Sequence, residues 1–176
     1  LNIGLIFNGK EAMCSMKATT ANRKIEQLLL SLHTESVGSS NYKAAVEELK
    51  TLITNPQLYG HNTQFQLPES ISEESIIVSD ALESVTNGMY NPEVLNRLQE
   101  ITPDSPFYPW KNAVLAILAF YQSDRDNMLQ LLEKIPEEAP PAALKQILQS
   151  LARSDTEMQI DPSARTLVKA VREDQA

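Results

Sequence analysis

The chain has few of the residues that crosslink a fold or carry out chemistry. Cys14 is the single cysteine among 176 residues, so no internal disulfide can form. The two histidines, His33 and His61, lie in different segments, with no cysteine or carboxylate at metal-ligand spacing. Neither a glycine-rich phosphate loop nor a serine nucleophile elbow occurs. The sequence therefore predicts a protein that is not an enzyme and has no metal site and no cofactor.

Positive charge and long apolar runs are scarce as well. Fifteen Lys and Arg residues against 23 Asp and Glu residues give a formal net charge of -8. Nucleic acids and anionic membranes are bound by clustered cations, so this composition argues against both partners. The apolar run 113–121 is far shorter than the roughly 20 residues that cross a bilayer. We therefore expect no nucleic-acid partner and no direct membrane insertion.

Glycine is also rare, with five residues against ten prolines. Both residue types fall mostly between segments of helical apolar periodicity, where they mark the ends of helices. A length of 176 residues with 42% hydrophobic residues is enough for the core of one domain or of a short helical array. The lone cysteine favours a reducing cytoplasm, and an exported bacterial protein is the alternative that the sequence leaves open.

The most apolar part of the chain is the stretch 105–140, which is predicted to form two helices joined by a polar turn. Pro106 suits the first turn of a helix, where its missing N–H would have no partner anyway. The residues that follow leave almost no polar face, so we expect protein to cover this helix on several sides. Ser123 and Asp124 then offer oxygens that cap a second helix, which stops at Pro136.

Residues of similar type recur 34 residues apart through the middle of the chain. A self-similar period of this length indicates stacked supersecondary units. The matched positions run through both helices of a unit and include its closing proline: Leu82 and Ala116, Val85 and Ala119, Leu95 and Leu129, Leu98 and Leu132, Ile101 and Ile135, and Pro106 and Pro140.

This unit resembles a tetratricopeptide repeat (TPR). Ala116 stands in the small-residue place of the first helix, and Pro140 closes the unit. Ser123 and Asp124 stand at the turn, where the family usually has Gly-Asp.

The chain also departs from the family. Met128 and Ile135 replace the small alanines of the second helix, and Trp110 lies two residues earlier than the family's tryptophan. Bulkier residues would push paired helices apart, so we describe the unit as TPR-like.

The resemblance implies an all-α fold, a right-handed array of about four antiparallel helix hairpins in a TPR-like solenoid. We expect an N-terminal arm at 1–17 and a helical repeat domain at 18–176. The hairpins are expected at about 18–55, 70–102, 106–136 and 140–173. Three helix starts within them carry cap signals: Ser40 or Asn41 caps the second helix, Ser70-Ile71-Ser72-Glu73 indicates a capping box at the start of the second hairpin, and Asn91-Pro92-Glu93 opens the partner helix of that hairpin.

Segment 56–68 is polar and aromatic, has no helical period and interrupts the array. Long loops often carry function, so Tyr59 and Phe65 are candidate partner contacts. The alternative is a loop that merely packs across the helices.

The resemblance also implies that the first helix of each unit lines a concave surface. In the third unit Ala113, Ile117, Phe120 and Tyr121 would lie on or near that surface, and Tyr108 lies in the same helix. Half of the ten aromatic residues fall in this one helix. Aromatic side chains dominate cores as well as interfaces, so burial in the core is the alternative. The Lys and Asn residues with which some TPR proteins clamp a peptide carboxylate are missing, so that activity is not implied.

These observations lead to an expected function in binding. We expect a non-catalytic scaffold or adaptor that binds an apolar or amphipathic segment of a partner protein or peptide. Secretion chaperones among small TPR-like bacterial proteins are one form that the resemblance suggests. The alternative is a structural subunit that buries its apolar helix by homo-oligomerisation or within a larger chain.

Overall fold

Every regular element in residues 15–60, 67–88 and 91–152, the part of the chain that this computed structural model describes, is a helix. The all-α prediction is therefore confirmed for these residues. Most of the predicted arm 1–17, Phe65 in the loop, and the last helix of the fourth predicted hairpin lie outside them. The helices are α1 Ser15–Thr34, α2 Ser40–Leu52, α3 Gln57–Gly60, α4 Glu69–Thr86, α5 Pro92–Glu100, α6 Tyr108–Tyr121, α7 Arg125–Glu133 and α8 Ala142–Ala152.

Side-chain caps start three of these helices. The Ser39 hydroxyl accepts a hydrogen bond from the Tyr42 backbone N–H at 3.1 Å and so caps α2. Asn91 caps α5, and Asp124 caps α7 through the Asn127 N–H at 3.2 Å. Each cap satisfies a backbone donor that the first turn of a helix leaves unpaired.

Two local predictions were wrong. The capping box expected at the start of α4 does not form, because the helix begins directly after Pro68 and places Ser70 inside the first turn. Segment 56–68 was expected to lack helix, yet Gln57–Gly60 forms the single helical turn α3. Packing holds this turn against α4, where Ser75 donates to the Pro56 carbonyl at 2.6 Å and Ser72 donates to the Gly60 carbonyl at 3.2 Å.

Helix α6 lies at the centre of the core. Its residues from Pro109 to Ile117 are all buried, as the lack of a polar face predicts. It packs against α4, α7 and α8, while α4 also packs against α3 and α5, and α1 packs against α2. Among the helices of the described residues, none combines the length and apolar character that a membrane span requires.

Polar contacts join α2 to the centre of the fold. The Trp110 indole N–H donates to the Ile53 carbonyl at the end of α2, at 2.8 Å. The Lys50 ammonium donates to the Pro103 carbonyl, in the loop before α6, at 2.7 Å. Both donors are buried. Loop 101–107 and the first turn of α6 are therefore fixed against the C-terminal half of α2.

Candidate functional site

A cleft of about 280 Å³ lies beside the N-terminal half of α2. Its walls come from the α1–α2 turn, from α2 itself and from the loop before α6. We call it the α2 cleft; its lining residues are Val37, Gly38, Tyr42, Lys43, Val46, Glu47 and Asp104.

The α1–α2 turn places an apolar side chain at the rim of this cleft. Gly38 has φ of +88°, a left-handed conformation that glycine adopts without steric cost. Glu35 accepts hydrogen bonds from the Ser39 hydroxyl at 3.4 Å and the Asn41 amide at 3.1 Å, which fixes the turn. Val37 lies between these anchors and is 84% exposed. The turn therefore holds Val37 in solvent beside the cleft.

The loop before α6 contributes Asp104 to the wall of the cleft. The neighbouring Ser105 hydroxyl donates to the Glu74 carboxylate of α4 at 2.5 Å and accepts from the Phe107 N–H at 3.0 Å. The Lys50 ammonium, bonded to the Pro103 carbonyl, also contacts the Glu47 carboxylate at 2.6 Å. These contacts on both sides of Asp104 fix the loop while the Asp104 side chain stays exposed.

Burial and two carboxylates act on the half-buried Tyr42. Burial raises the pKa of the Tyr42 phenol, and the nearby carboxylates Glu74 and Asp104 raise it further. Burial also raises the pKa of Glu74, and the hydrogen bond from Ser105 opposes that shift. Glu74 and Asp104 therefore both act on the Tyr42 hydroxyl as negative charges.

The structure separates the partner-binding residues that the sequence suggested. At the end of α6 Tyr121 is 43% exposed and Phe120 is half-buried, with the two rings edge to face at 5.8 Å between centroids. We call these two residues the aromatic end of α6. Tyr108, in the first turn, is half-buried, and the Lys111 ammonium lies 5.9 Å from its ring centroid.

Backbone geometry fixes the position of this aromatic end. Ser123 follows α6 with φ of +59°, and the Asp124 N–H bonds the Ala119 carbonyl at 2.9 Å. The Ser123 N–H bonds the Phe120 carbonyl at 3.1 Å. This pair of bonds is the Schellman motif, which ends a helix sharply and satisfies its last carbonyls. Tyr121 therefore stands at a defined corner between α6 and α7.

Three of the predicted contact residues lie in the core instead. Ala113 and Ile117 have no exposed surface because α6 is covered by its neighbouring helices. Tyr59 is 5% exposed and its ring packs 6.4 Å from that of Phe107. Burial in the core, the alternative that the sequence left open, therefore describes these three residues in this fold, and their role as partner contacts stays a prediction. Phe65, the remaining predicted contact, lies outside the described residues.

Lys111 is a buried charged residue whose ammonium is bonded to backbone carbonyls. Its ammonium donates to the carbonyls of Gln99 and Ile101, at 2.7 Å each, and so satisfies the C-terminal end of α5. Burial lowers the pKa of Lys111, and the positive charge of Lys134 lowers it further. The bonds to backbone carbonyls indicate a structural role rather than a chemical one.

Among the side chains that the structure describes, in residues 23–60, 67–88 and 91–150, no group of three or more His, Cys, Asp or Glu is placed to hold a metal ion. Every buried side-chain nitrogen or oxygen in that part of the chain has a hydrogen-bond partner. The two features that stand out are the α2 cleft and the aromatic end of α6.

Comparison of the chain with protein-family models, with curated proteins and with solved structures found no match.

Sequence reasoning missed the α2 cleft. One signal was available: Val37 is an apolar residue in the otherwise polar turn Glu35-Ser36-Val37-Gly38-Ser39. The approach of Asp104 to Tyr42 had no such signal, because it depends on how the loop before α6 packs against α2.

Proposed function

We propose that the chain is a non-catalytic protein-interaction module that binds an apolar or amphipathic segment of a partner protein through the aromatic end of α6. The observation that carries this proposal is the exposure of Tyr121. It is 43% exposed and stands against the half-buried Phe120, at the end of a helix that is otherwise almost wholly buried. Exposed aromatic rings anchor many protein interfaces because they bury a large apolar area at small entropic cost.

A TPR-like array is the arrangement that we propose for the helices, with a right-handed course and stacked hairpins. Two observations support it. The 34-residue period runs through α4 to α7. In addition α4 packs against both α5 and α6, and α6 packs against both α7 and α8. In a stack of hairpins, each first helix contacts its own partner helix and the first helix of the next unit.

The partner is proposed to be a protein or peptide rather than a nucleic acid or a membrane. The net charge of -8 disfavours nucleic acid and anionic lipid surfaces. A secretion-type chaperone in the cytoplasm is one concrete form of this proposal, suggested by the TPR-like resemblance.

Affinity capture from a lysate of the source organism tests the proposal, with wild type, Tyr121→Ala and Leu58→Ala compared side by side. Leu58 is the matched control because it is an apolar side chain of similar exposure, 49%, in α3. We expect a partner that wild type and Leu58→Ala retain and Tyr121→Ala loses, identified by mass spectrometry. Equal retention by all three proteins, with circular dichroism unchanged, would contradict a site at the end of α6.

The second candidate function is a structural subunit that self-associates. It is favoured by further exposed apolar side chains on the N-terminal part of the fold, Leu30 at 65% and Val37 at 84%. Sedimentation velocity over a wide concentration range separates the two functions. A dimer that dissociates into monomers when Leu30 is replaced by Ser would favour the structural subunit. A monomer at all concentrations would exclude it.

A further inference from the structure

The size of the α2 cleft suits one side chain of a partner. Its volume of about 280 Å³ is just below the roughly 300–1,000 Å³ of sites for drug-sized molecules and cofactors. A single long side chain, with part of the backbone that carries it, fills such a space.

Apolar walls favour an occupant with an aliphatic portion. The cleft is lined by the buried Val46, by the half-buried Tyr42 one helical turn away on α2, and by the exposed Val37. The α1–α2 turn holds Val37 in solvent, where its methyl groups are in contact with water. An aliphatic chain placed between these residues would remove apolar surface from water.

Charges at the rim favour an occupant with a cationic end. Two of the three charged lining residues are carboxylates, Glu47 and Asp104, and the third is Lys43. Lys50 already contacts Glu47, so Asp104 is the carboxylate best placed to pair with an incoming cation. Glu74 of α4 is not a lining residue, but its negative charge acts on the Tyr42 phenol together with that of Asp104. Burial is the main cause of the raised pKa of this phenol, and the two carboxylates add to it.

We propose that the α2 cleft binds a lysine or arginine side chain of a partner polypeptide, with the aliphatic stem against Val37 and Val46 and the cationic head beside Asp104. Long basic side chains bury an apolar stem while their charged head stays near water, which matches apolar walls below a carboxylate rim. Tyr42 also lines the cleft, and an aromatic ring attracts a cation that lies over its face. Lys43 opposes the incoming charge and weakens the site.

This inference is independent of the proposed function at the end of α6. The cleft is built by the α1–α2 turn, α2 and the loop before α6, and it shares no residue with Phe120 and Tyr121. One site can therefore fail its test while the other passes.

NMR titration of the full chain with short blocked peptides tests the proposal. The probes are acetyl-Ala-Arg-Ala-amide, the same peptide with citrulline, which is the uncharged analogue of arginine, and the same peptide with leucine. We expect saturable shifts of the Gly38 and Asp104 amide signals with the arginine peptide. Because an exposed ion pair contributes little, the citrulline peptide should bind about fivefold more weakly.

Substitutions of exposed charged residues test which charges contribute to binding of the arginine peptide. Asp104→Asn should weaken the arginine peptide about fivefold and leave the citrulline peptide unchanged, while Lys43→Gln should strengthen the arginine peptide about threefold. Asp126→Asn, an exposed carboxylate in the first turn of α7, is the matched control and should change neither.

Four results would each overturn the proposal. They are equal binding of the arginine and citrulline peptides, tighter binding of the leucine peptide, wild-type binding by Asp104→Asn, and no saturable shift at the solubility limit of the arginine peptide. Circular dichroism of each variant confirms that it is folded.

Discussion

Replacing Trp110 by Phe tests how α2 is attached to the rest of the fold. Trp110 is 1% exposed, and its indole N–H donates to the Ile53 carbonyl at 2.8 Å. Phenylalanine keeps most of the apolar surface but has no donor. The substitution therefore removes this hydrogen bond while it disturbs the packing of α6 as little as possible.

Two effects set the size of the expected loss. Leaving the buried Ile53 carbonyl without its indole donor costs about 1–3 kcal/mol. The smaller ring leaves a void in the core, which costs about 1 kcal/mol more. We therefore expect Trp110→Phe to lower the free energy of unfolding by about 2–4 kcal/mol, a large part of the roughly 5–15 kcal/mol of a typical domain.

Urea denaturation followed by far-UV circular dichroism measures this loss. Fluorescence is unsuitable because Trp110 is the single tryptophan of the chain. Tyr108→Phe is the control: it changes a half-buried aromatic residue of the same helix and should cost less than about 1 kcal/mol. The slope of the transition should stay the same, since the surface exposed on unfolding hardly changes.

A second variant separates this local contact from a general packing effect. Lys50 bonds the Pro103 carbonyl from the same part of α2, so Lys50→Met should couple with Trp110→Phe by about 0.5–3 kcal/mol in a double-mutant cycle. A loss for Trp110→Phe no larger than that of Tyr108→Phe, together with strict additivity, would refute the account of this junction.

Three further stability predictions can be checked by the same denaturation assay. Ser123→Gly should stabilise the chain by about 0.5–1 kcal/mol, since Ser123 has φ of +59° and glycine adopts that conformation without the Cβ clash; lower stability would contradict this. Gly60→Ala should cost about 1–3 kcal/mol, because a Cβ atom there would lie 2.7 Å from Ile76 Cγ1; a neutral effect would show that α3 can move away. Glu74→Gln should remove a pH dependence of the free energy of unfolding. Burial raises the folded-state pKa of Glu74. The wild type should therefore lose stability relative to the variant as the pH rises from the ordinary glutamate pKa through the raised value. The opposite slope would place Glu74 in a site that favours its charge.

Local signals in the sequence predicted the helix starts that depend on a single capping residue. Asn91 and Asp124 cap α5 and α7 as predicted, because an Asn or Asp before a periodic apolar segment has few other roles. The cap of α2 was predicted at Ser40 or Asn41 and lies at Ser39, one or two residues earlier, since adjacent Ser39 and Ser40 offer the same oxygen. At α4, Pro68 began the helix before the expected capping box could form.

Burial within α6 shows where sequence reasoning reached its limit. The absence of a polar face indicated that the helix is covered, but not which residues are fully covered. Ala113 and Ile117 are buried because α4, α7 and α8 surround the middle of α6, whereas Tyr121 lies at its end beyond most of that cover. The 34-residue period cannot separate these cases. It predicts the helix face on which a residue lies, but not how far the neighbouring helices cover that residue.

The α2 cleft depends on contacts between distant parts of the sequence. The bond of Lys50 to Pro103 and that of Ser105 to Glu74 place the loop before α6 over α2. No local pattern marks either pairing, since lysine and glutamate in helices are usually solvated. The TPR-like arrangement, which would order these segments, stays a prediction.

The most direct test of the proposed function is photo-crosslinking from residue 121. Benzoylphenylalanine would replace Tyr121 in one sample and Leu58, the exposed control in α3, in another, and both proteins would be irradiated in lysate of the source organism. Our account predicts one covalent adduct with a second polypeptide from position 121 and none from position 58. The same adducts from both positions, or none from position 121 while the protein remains folded, would contradict a partner site at the aromatic end of α6.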